Sequence, residues 1–436
     1  MHNFIELYNQ THSDIEQFSA PLLNLQRAEF AQQLLQSGMP TRKTEGYRNI
    51  DLSQVLDIDY GVNVRQLPIP RTNKPISCDV RGLNAILCWV VNGEIILPKE
   101  LIEQGITITT LKHLDAETSI SQSSLADVRN PLVALNAMFA QDGLFVNIPD
   151  GVQLNRPIQI MNIAGAGLDL FTAMHHIIRL GRNSKAQVLV CDHAFENHHY
   201  LCSSTTQVLV GQGATYEHYH LEDTSETMCR FNNLLIEQDS QSDVLVNMIT
   251  LRNGVSRNNI YIHQSGADCK TQLCGMFVGS GSQTTDNFTK ITHHSTGGHS
   301  NELFKYVLDE HSRGVFKGEL IVAQGAQKTE AYQTNRNILL SREAKVRTEP
   351  QLEIYADDVK CSHGATTGQL DENALFYMRQ RGISEQEARL LLMNAFVADV
   401  INNIRIDNLQ DRIRTLTDSR LRHNEHTPCN SCKICK

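Results

Sequence analysis

The sequence QVLV occurs at residues 187–190 and again at residues 207–210, and similar short segments rich in β-branched residues recur from about Gly143 onward. Turn-rich links such as Gly211-Gln212-Gly213-Ala214 separate these segments. Many short strands, with little helical pattern between them for about 200 residues, are typical of an all-β domain. A stacked coil of strands, the β-helix, suits these variable turns better than a sandwich, because most neighbouring segments lack a hairpin dipeptide between them.

Helical patterns flank this β-rich region on both sides. Apolar residues keep helical spacing between Leu22 and Leu35, and Pro131 begins a second predicted helix that runs to Ala140. Asn92-Gly93 lies between two apolar runs and predicts a hairpin. The expected domains are a helical and mixed N-terminal domain over residues 1–142, a β-helix core over 143–362, a helical C-terminal domain over 363–425 and a cysteine-containing tail over 426–436.

The C-terminal region contains two predicted helices with clear start signals. Asp371 is a suitable N-cap for the first helix, and Ser384-Glu385-Gln386-Glu387 has the pattern of a capping box for the second. The second helix is apolar on two sides, so one side can pack on the neighbouring helix while the other needs a different cover. One side comprises Ala388, Leu391, Leu392, Ala395 and Phe396, and the other comprises Leu390, Met393, Val397, Val400, Ile401 and Ile404. That cover is either more of this chain or a partner protein, for which the second set is the candidate binding surface.

Composition excludes several classes of protein. The chain has 436 residues and a formal net charge of −9, and no strongly basic stripe that would indicate a nucleic-acid binder. No apolar run reaches the roughly 18 residues of a membrane span. The N-terminus lacks the basic and then apolar pattern of a signal peptide, so a cytoplasmic location is expected. Phosphate-loop and nucleophile-elbow motifs do not occur, and the sequence offers no assembled catalytic set.

Cys361 and His363 form the most informative pair of polar residues. In an extended segment, side chains at positions i and i+2 point to the same face, so the thiol and the imidazole can meet one metal or one partner surface together. Two ligands do not complete a tetrahedral or cluster site, so a second chain or a remote segment would have to supply the others. The alternative is a buried thiol beside a hydrogen-bonded histidine.

The other cysteines and histidines give weaker signals. Cys429, Cys432 and Cys435 have spacing that suits thiolate ligation, and they also fit a redox-sensitive tail. His218 and His220 lie two apart and can share one face of a strand, but no hydrolase motif accompanies them. For these and the remaining histidines we expect structural or surface roles.

Several motifs resemble the SufB/SufD family of iron–sulfur cluster assembly proteins. They are Asp358–Thr367, Phe376–Ile383, His293–Ser295, Lys305–Asp309, Phe316–Glu319 and Leu352–Ile354. The resemblance covers at least residues 290–405, and it looks closer to SufD. SufB typically carries Glu-His-Glu-Ala where this chain has Ser362-His363-Gly364-Ala365, and SufB has an upstream cysteine where residues 335–340 here contain none.

The resemblance implies a mainly β fold, with a right-handed parallel β-helix core flanked by helical N- and C-terminal domains. It implies a SufD-like scaffold subunit, not an enzyme, that pairs with a SufB-type subunit through the β-helix ends. It also implies that a SufC-type ATPase docks on the C-terminal helices. His363, with its neighbour Cys361, would lie at the subunit interface, near iron or an iron–sulfur cluster in the complex. No cofactor is expected to bind tightly to the isolated chain.

Two other classes of protein compete with this interpretation. A β-helix carbohydrate-active enzyme would use groove carboxylates and histidines, although such proteins are usually secreted. A homo-oligomeric structural protein would need no metal chemistry, and pairing of the isolated chain with itself stays open.

Overall fold

Two parallel β-sheets form the centre of the protein. The structure, a computed structural model, describes residues 4–69, 80, 82–98, 105–114, 128–194 and 198–422. The chain alternates between the two sheets, so that consecutive strands lie in different sheets and coil into a β-solenoid of about 8 turns. This arrangement confirms the predicted mainly β fold with a β-helix core between helical ends.

Sheet A has the strand order β19-β17-β15-β13-β11-β9-β7-β5-β4, with β1 beside β7, and sheet B has the order β20-β18-β16-β14-β12-β10-β8-β6-β2-β3. The strand bounds are β1 Gly61–Val62, β2 Ile86–Val91, β3 Glu94–Ile96, β4 Thr107–Thr110, β5 Leu144–Ile148, β6 Ile158–Ala164, β7 Leu170–Leu180, β8 Lys185–Ala194, β9 Tyr200–Val210, β10 Thr215–Asp223, β11 Met228–Gln238, β12 Asp243–Arg252, β13 Val255–Gln264, β14 Lys270–Gly279, β15 Thr284–His293, β16 His299–Leu308, β17 Arg313–Val322, β18 Glu330–Leu339, β19 Lys345–Ile354 and β20 Lys360–Gly368. The helices are α1 Phe4–Gln17, α2 Pro21–Ser37, α3 Ser53–Leu56, α4 Pro131–Phe139, α5 Glu372–Gln380, α6 Glu385–Ile401 and α7 Asp407–Leu421.

Side chains inside the coil form continuous columns. Neighbouring strands of each sheet pair in parallel, as in Leu234 with Ile260 and Val246 with Leu273, so paired residues point to the same side. Alternate positions along a strand therefore enter the interior, where apolar residues from both sheets make one core. The register, once set, determines which side chain lies above which.

Helices cover the outer face of each sheet. Helices α1, α2 and α4 pack on apolar residues of sheet A such as Phe171 and Phe231, and α6 and α7 pack on sheet B. Parallel sheets are usually buried on both faces, and the central strands here are buried along almost their whole length, polar residues included. The predicted hairpin is confirmed, because β2 and β3 pair antiparallel across Asn92 and Gly93, both of which have positive φ.

The orientation of α6 corrects one expectation from the sequence. Six residues predicted to face a partner are instead buried within the chain: Leu390, Met393, Val397, Val400, Ile401 and Ile404. They pack with outward-facing apolar residues of sheet B. Two polar contacts hold the helix there: the Asn247 side chain donates to the Val400 carbonyl (2.9 Å), and buried Lys305 pairs with Asp399 (2.5 Å). The chain itself therefore covers this side of the helix.

The solenoid also extends further than the predicted core over residues 143–362. Strand β2 already belongs to sheet B, and β20 runs to Gly368, so the predicted boundary between residues 362 and 363 falls inside a strand. The backbone stays extended there because β20 pairs in register with β18 along its length. Among the helices within the described residues, none has the length and apolar composition needed to cross a bilayer.

Gly275 tests how tightly the interior columns are packed. A Cβ added to it would lie 2.2 Å from Cε1 of Phe304, whose side chain is fully buried. Gly275→Ala should therefore reduce the free energy of unfolding by about 1–3 kcal/mol, measured by urea denaturation. Gly364→Ala is the matched control, because its Cβ meets no atom within 4 Å. Equal denaturation midpoints for the two variants would contradict this packing.

Candidate functional site

The candidate site lies at the open end of the solenoid. Strands β19 and β20 are the last strands of sheets A and B, and in the part of the chain that the structure describes each pairs with one neighbour only, β17 and β18 respectively. Apart from half-buried Cys361, every residue of β20 is exposed. The structure thus ends in two uncovered strand edges.

Cys361 and His363 lie on the same face of β20, as their spacing predicts. Cys361 pairs with Ala331 and His363 pairs with Gln333, and both partners are buried inward-facing residues of β18. The thiol and the imidazole therefore continue two interior columns of the coil into solvent. The structure brings the two predicted site residues together at an accessible position.

The Cys361 thiol has apolar surroundings. It packs with Leu320, Ala331 and Ala356, beside the half-buried Leu352. Burial raises the pKa of the Cys361 thiol, and a backbone hydrogen bond from Ala331 acts against that rise. The thiol is thus protonated at neutral pH, and it must lose its proton when it binds a metal ion.

The pair does not form a complete metal site within this chain. Within the described residues, no group of three or more His, Cys, Asp or Glu side chains is arranged to hold a metal ion. Iron–sulfur clusters and tetrahedral sites need more than two protein ligands. Metal binding at Cys361 and His363 therefore stays a prediction that requires ligands from a second chain. The Cys429, Cys432 and Cys435 tail lies outside the described residues.

His218 and His220 lie in the solenoid interior, where solvent does not reach them. His218 accepts or donates a hydrogen bond with the Tyr216 hydroxyl (2.9 Å), and burial lowers its pKa to about 3. His220 hydrogen bonds to Asp192 (2.5 Å), which also pairs with buried Arg230. These buried hydrogen bonds stabilise the packing of the coil. Neither His218 nor His220 is accessible to a carbohydrate bound in a surface groove.

Sequence reasoning missed three exposed apolar side chains on the C-terminal helices. Phe376 and Tyr377 on α5 are 63% and 58% exposed, and Leu391 on α6 is 43% exposed. The Arg381 guanidinium lies over the Tyr377 ring at 5.1 Å from the ring centroid. The sequence already showed that the side of α6 containing Leu391 is apolar. Because the opposite side is apolar as well, the sequence could not show which of the two sides is buried and which is exposed.

The geometry defines a class of protein: a parallel β-solenoid with helix-covered faces, whose last two strands each leave one edge unpaired within the described residues, beside a thiol and an imidazole. Residues 162–396 match the family described as SUF system FeS cluster assembly, SufBD core domain, and residues 1–160 match the SufBD protein N-terminal region. The chain belongs to the SufBD family of iron–sulfur cluster assembly proteins.

Individual relatives agree with this assignment. The chain is 26% identical to the iron–sulfur cluster assembly protein SufD of Escherichia coli, over 91% of this chain and 92% of that protein. It is 24% identical to the SufD protein of Bacillus subtilis, over 75% of this chain and 76% of that protein. An iron–sulfur cluster assembly SufBD family protein of Synechocystis is 30% identical over 66% of this chain and 65% of that protein. The resemblance to SufD inferred from the motifs is confirmed.

The surroundings of Cys361 make a measurable prediction about its reactivity. Because burial raises the pKa of the thiol, its alkylation by iodoacetamide should keep accelerating as the pH rises past 9.0, the ordinary thiol value. Peptide mass spectrometry of the full chain at a series of pH values follows this one residue, with glutathione as the reference thiol. A Cys361 rate that reaches its plateau below the pH at which glutathione does would contradict the apolar environment.

Proposed function

We propose that the chain is a SufD-like scaffold subunit, without enzymatic activity of its own, of an iron–sulfur cluster assembly complex. A SufB-type subunit pairs with it at β19 and β20, and a SufC-type ATPase docks on its C-terminal helices. Iron or a nascent cluster is the substrate, received where Cys361 and His363 meet the partner. The observation that carries this proposal is that the last strand of each sheet has an unpaired edge, and that Cys361 and His363 occupy inward-facing positions of one of these strands, β20.

The open strand edges support the pairing with a second solenoid. A strand at the edge of a sheet presents unpaired N–H and C=O groups, which readily pair with another chain. Here both sheets end at the same end of the coil, and every residue of β20 except half-buried Cys361 is exposed. A partner with a similar solenoid end can extend both sheets at once and cover the two edges.

The chemistry of the two side chains suits an iron-containing substrate. Thiolate and imidazole are both iron ligands in proteins, and the thiolate also ligates clusters. Two ligands from this chain leave room for ligands from the second subunit, so the substrate would be held only while the two chains are in contact. Opening of the interface, driven by ATP hydrolysis in the bound ATPase, then exposes the site or releases what it holds.

The exposed patch of Phe376, Tyr377 and Leu391 is the proposed docking surface for the ATPase. It lies on α5 and α6, which pack on each other, and it replaces the six buried residues expected from the sequence. A charge at Val400, which is fully buried, would disturb the packing of α6 instead of testing a docking surface.

His363 provides the test of the substrate site. His363→Ala should abolish cluster maturation in cells, because the imidazole is lost while an exposed alanine leaves the strand pairing unchanged. Activity of a cluster-dependent reporter enzyme measures maturation, and circular dichroism checks the fold. His311→Ala removes another exposed histidine, in the turn before β17, and should mature clusters normally. A wild-type level of cluster maturation in the His363→Ala variant would show that His363 is not needed to receive the substrate.

The docking surface has its own test by co-purification. Phe376→Glu and Leu391→Glu each place a charge in the exposed patch and should reduce recovery of a co-expressed SufC-type ATPase at least about tenfold, since central apolar contacts dominate interface energies. Leu25→Glu is the matched control, because Leu25 is 72% exposed on α2, at the other end of the chain. Full recovery with both patch variants would place the ATPase elsewhere.

A further inference from the structure

His363 continues a polar column that starts deep inside the coil. Glu302 in β16 pairs with Gln333 in β18, and Gln333 pairs with His363 in β20. Paired residues of a parallel sheet point to the same side and lie about 4.8 Å apart, so His363 is the next residue after Gln333 in this column. The exposed fractions of Glu302 and Gln333 are 0% and 2%, whereas His363 is exposed.

One end of the Gln333 amide is already occupied. Its Nε2 donates to Oε2 of Glu302 at 2.7 Å, and its Oε1 has no hydrogen-bond partner among the described residues. Glu302 and His363 flank Gln333 from opposite sides, because β16 and β20 are the two neighbours of β18. The amide oxygen left over is thus the one available to the imidazole, and a buried acceptor without a partner is costly.

A glycine in the opposite sheet provides the space for the Gln333 amide. A Cβ added to Gly318 of β17 would lie 2.2 Å from Nε2 of Gln333, so the glycine leaves the space that the amide fills. Burial raises the pKa of Glu302 to about 7, and the hydrogen bond from Gln333 acts against this rise. Above that pH the carboxylate can only accept hydrogen bonds, which keeps Nε2 of Gln333 directed toward it.

We propose that Gln333, held by Glu302, is a positioning residue for His363. Its amide oxygen accepts the N–H of one imidazole nitrogen, which selects a single tautomer and fixes the ring plane. The other ring nitrogen then carries its lone pair toward the partner subunit and the iron-containing substrate. Histidines that ligate metals commonly donate their second N–H to an oxygen acceptor in this way. The functional part of this inference rests on the proposed function, whereas the tautomer selection does not.

The tautomer can be measured on the full chain without iron or a partner. In ¹⁵N NMR of histidine-labelled protein at about pH 8, above the pKa of Glu302, the His363 signals are assigned by their loss in His363→Ala. One tautomer should dominate in the wild type. Gln333→Leu removes the acceptor and should shift the tautomer ratio about fivefold toward the other form, the effect of one hydrogen bond.

Asn337→Leu is the matched control. It removes another buried amide of β18, but from the column that ends at Thr367, so the His363 tautomer ratio should equal that of the wild type. If Gln333→Leu does not fold, Glu302→Gln replaces it, since this variant keeps the shape and loses only the charge that orients the amide. An unchanged ratio in the folded variant, or a tautomer mixture in the wild type, overturns the inference.

Cluster maturation in cells separates this inference from the proposed function. Gln333→Leu should lower maturation about 10- to 100-fold, as changes to residues that orient metal ligands do. If His363→Ala matures clusters normally, the proposed function fails, whatever the tautomer. If His363→Ala abolishes maturation while Gln333→Leu leaves both maturation and tautomer unchanged, only the role of Gln333 fails.

Discussion

In-register parallel pairing is the constraint on which the rest of the structure depends. It forces every inward side chain to share a column with residues of the same sheet, so the core and the polar interior are each built column by column. It also makes the last strand a continuation of the interior: Cys361 and His363 are interior positions of a turn that has no further turn above it. The candidate site is therefore the exposed end of the core.

The helices decide which part of the coil remains accessible. Helices α1, α2 and α4 cover sheet A, and α6 and α7 cover sheet B over the middle turns. No helix within the described residues covers β20, and the outward side chains of β19 are exposed. Lys305 and Asn247 contact α6 and hold it on the middle strands of sheet B. These contacts therefore help to determine which strands are covered by helices and which are exposed.

Much of the architecture could be predicted from local patterns in the sequence. The Asn92-Gly93 hairpin, the helix beginning at Pro131 and the caps at Asp371 and Ser384 depend on neighbouring residues and are present in the structure. The buried side of α6 and the helix α7 were not predicted, because sheet B selects that side through contacts distant in sequence. The column of Glu302, Gln333 and His363 was also missed, although its members are 31 and 30 residues apart, one coil each.

The two ends of the solenoid differ in strand direction. At the N-terminal end, each sheet finishes in a short antiparallel strand: β3 beside β2 in sheet B, and β4 beside β5 in sheet A. A second copy stacked head to tail would meet antiparallel strands at this end, so it could not continue the parallel ladder there. The edges of β19 and β20, by contrast, keep the parallel hydrogen-bonding pattern of the coil. The two ends of the coil therefore offer different hydrogen-bonding patterns to any strand that approaches them.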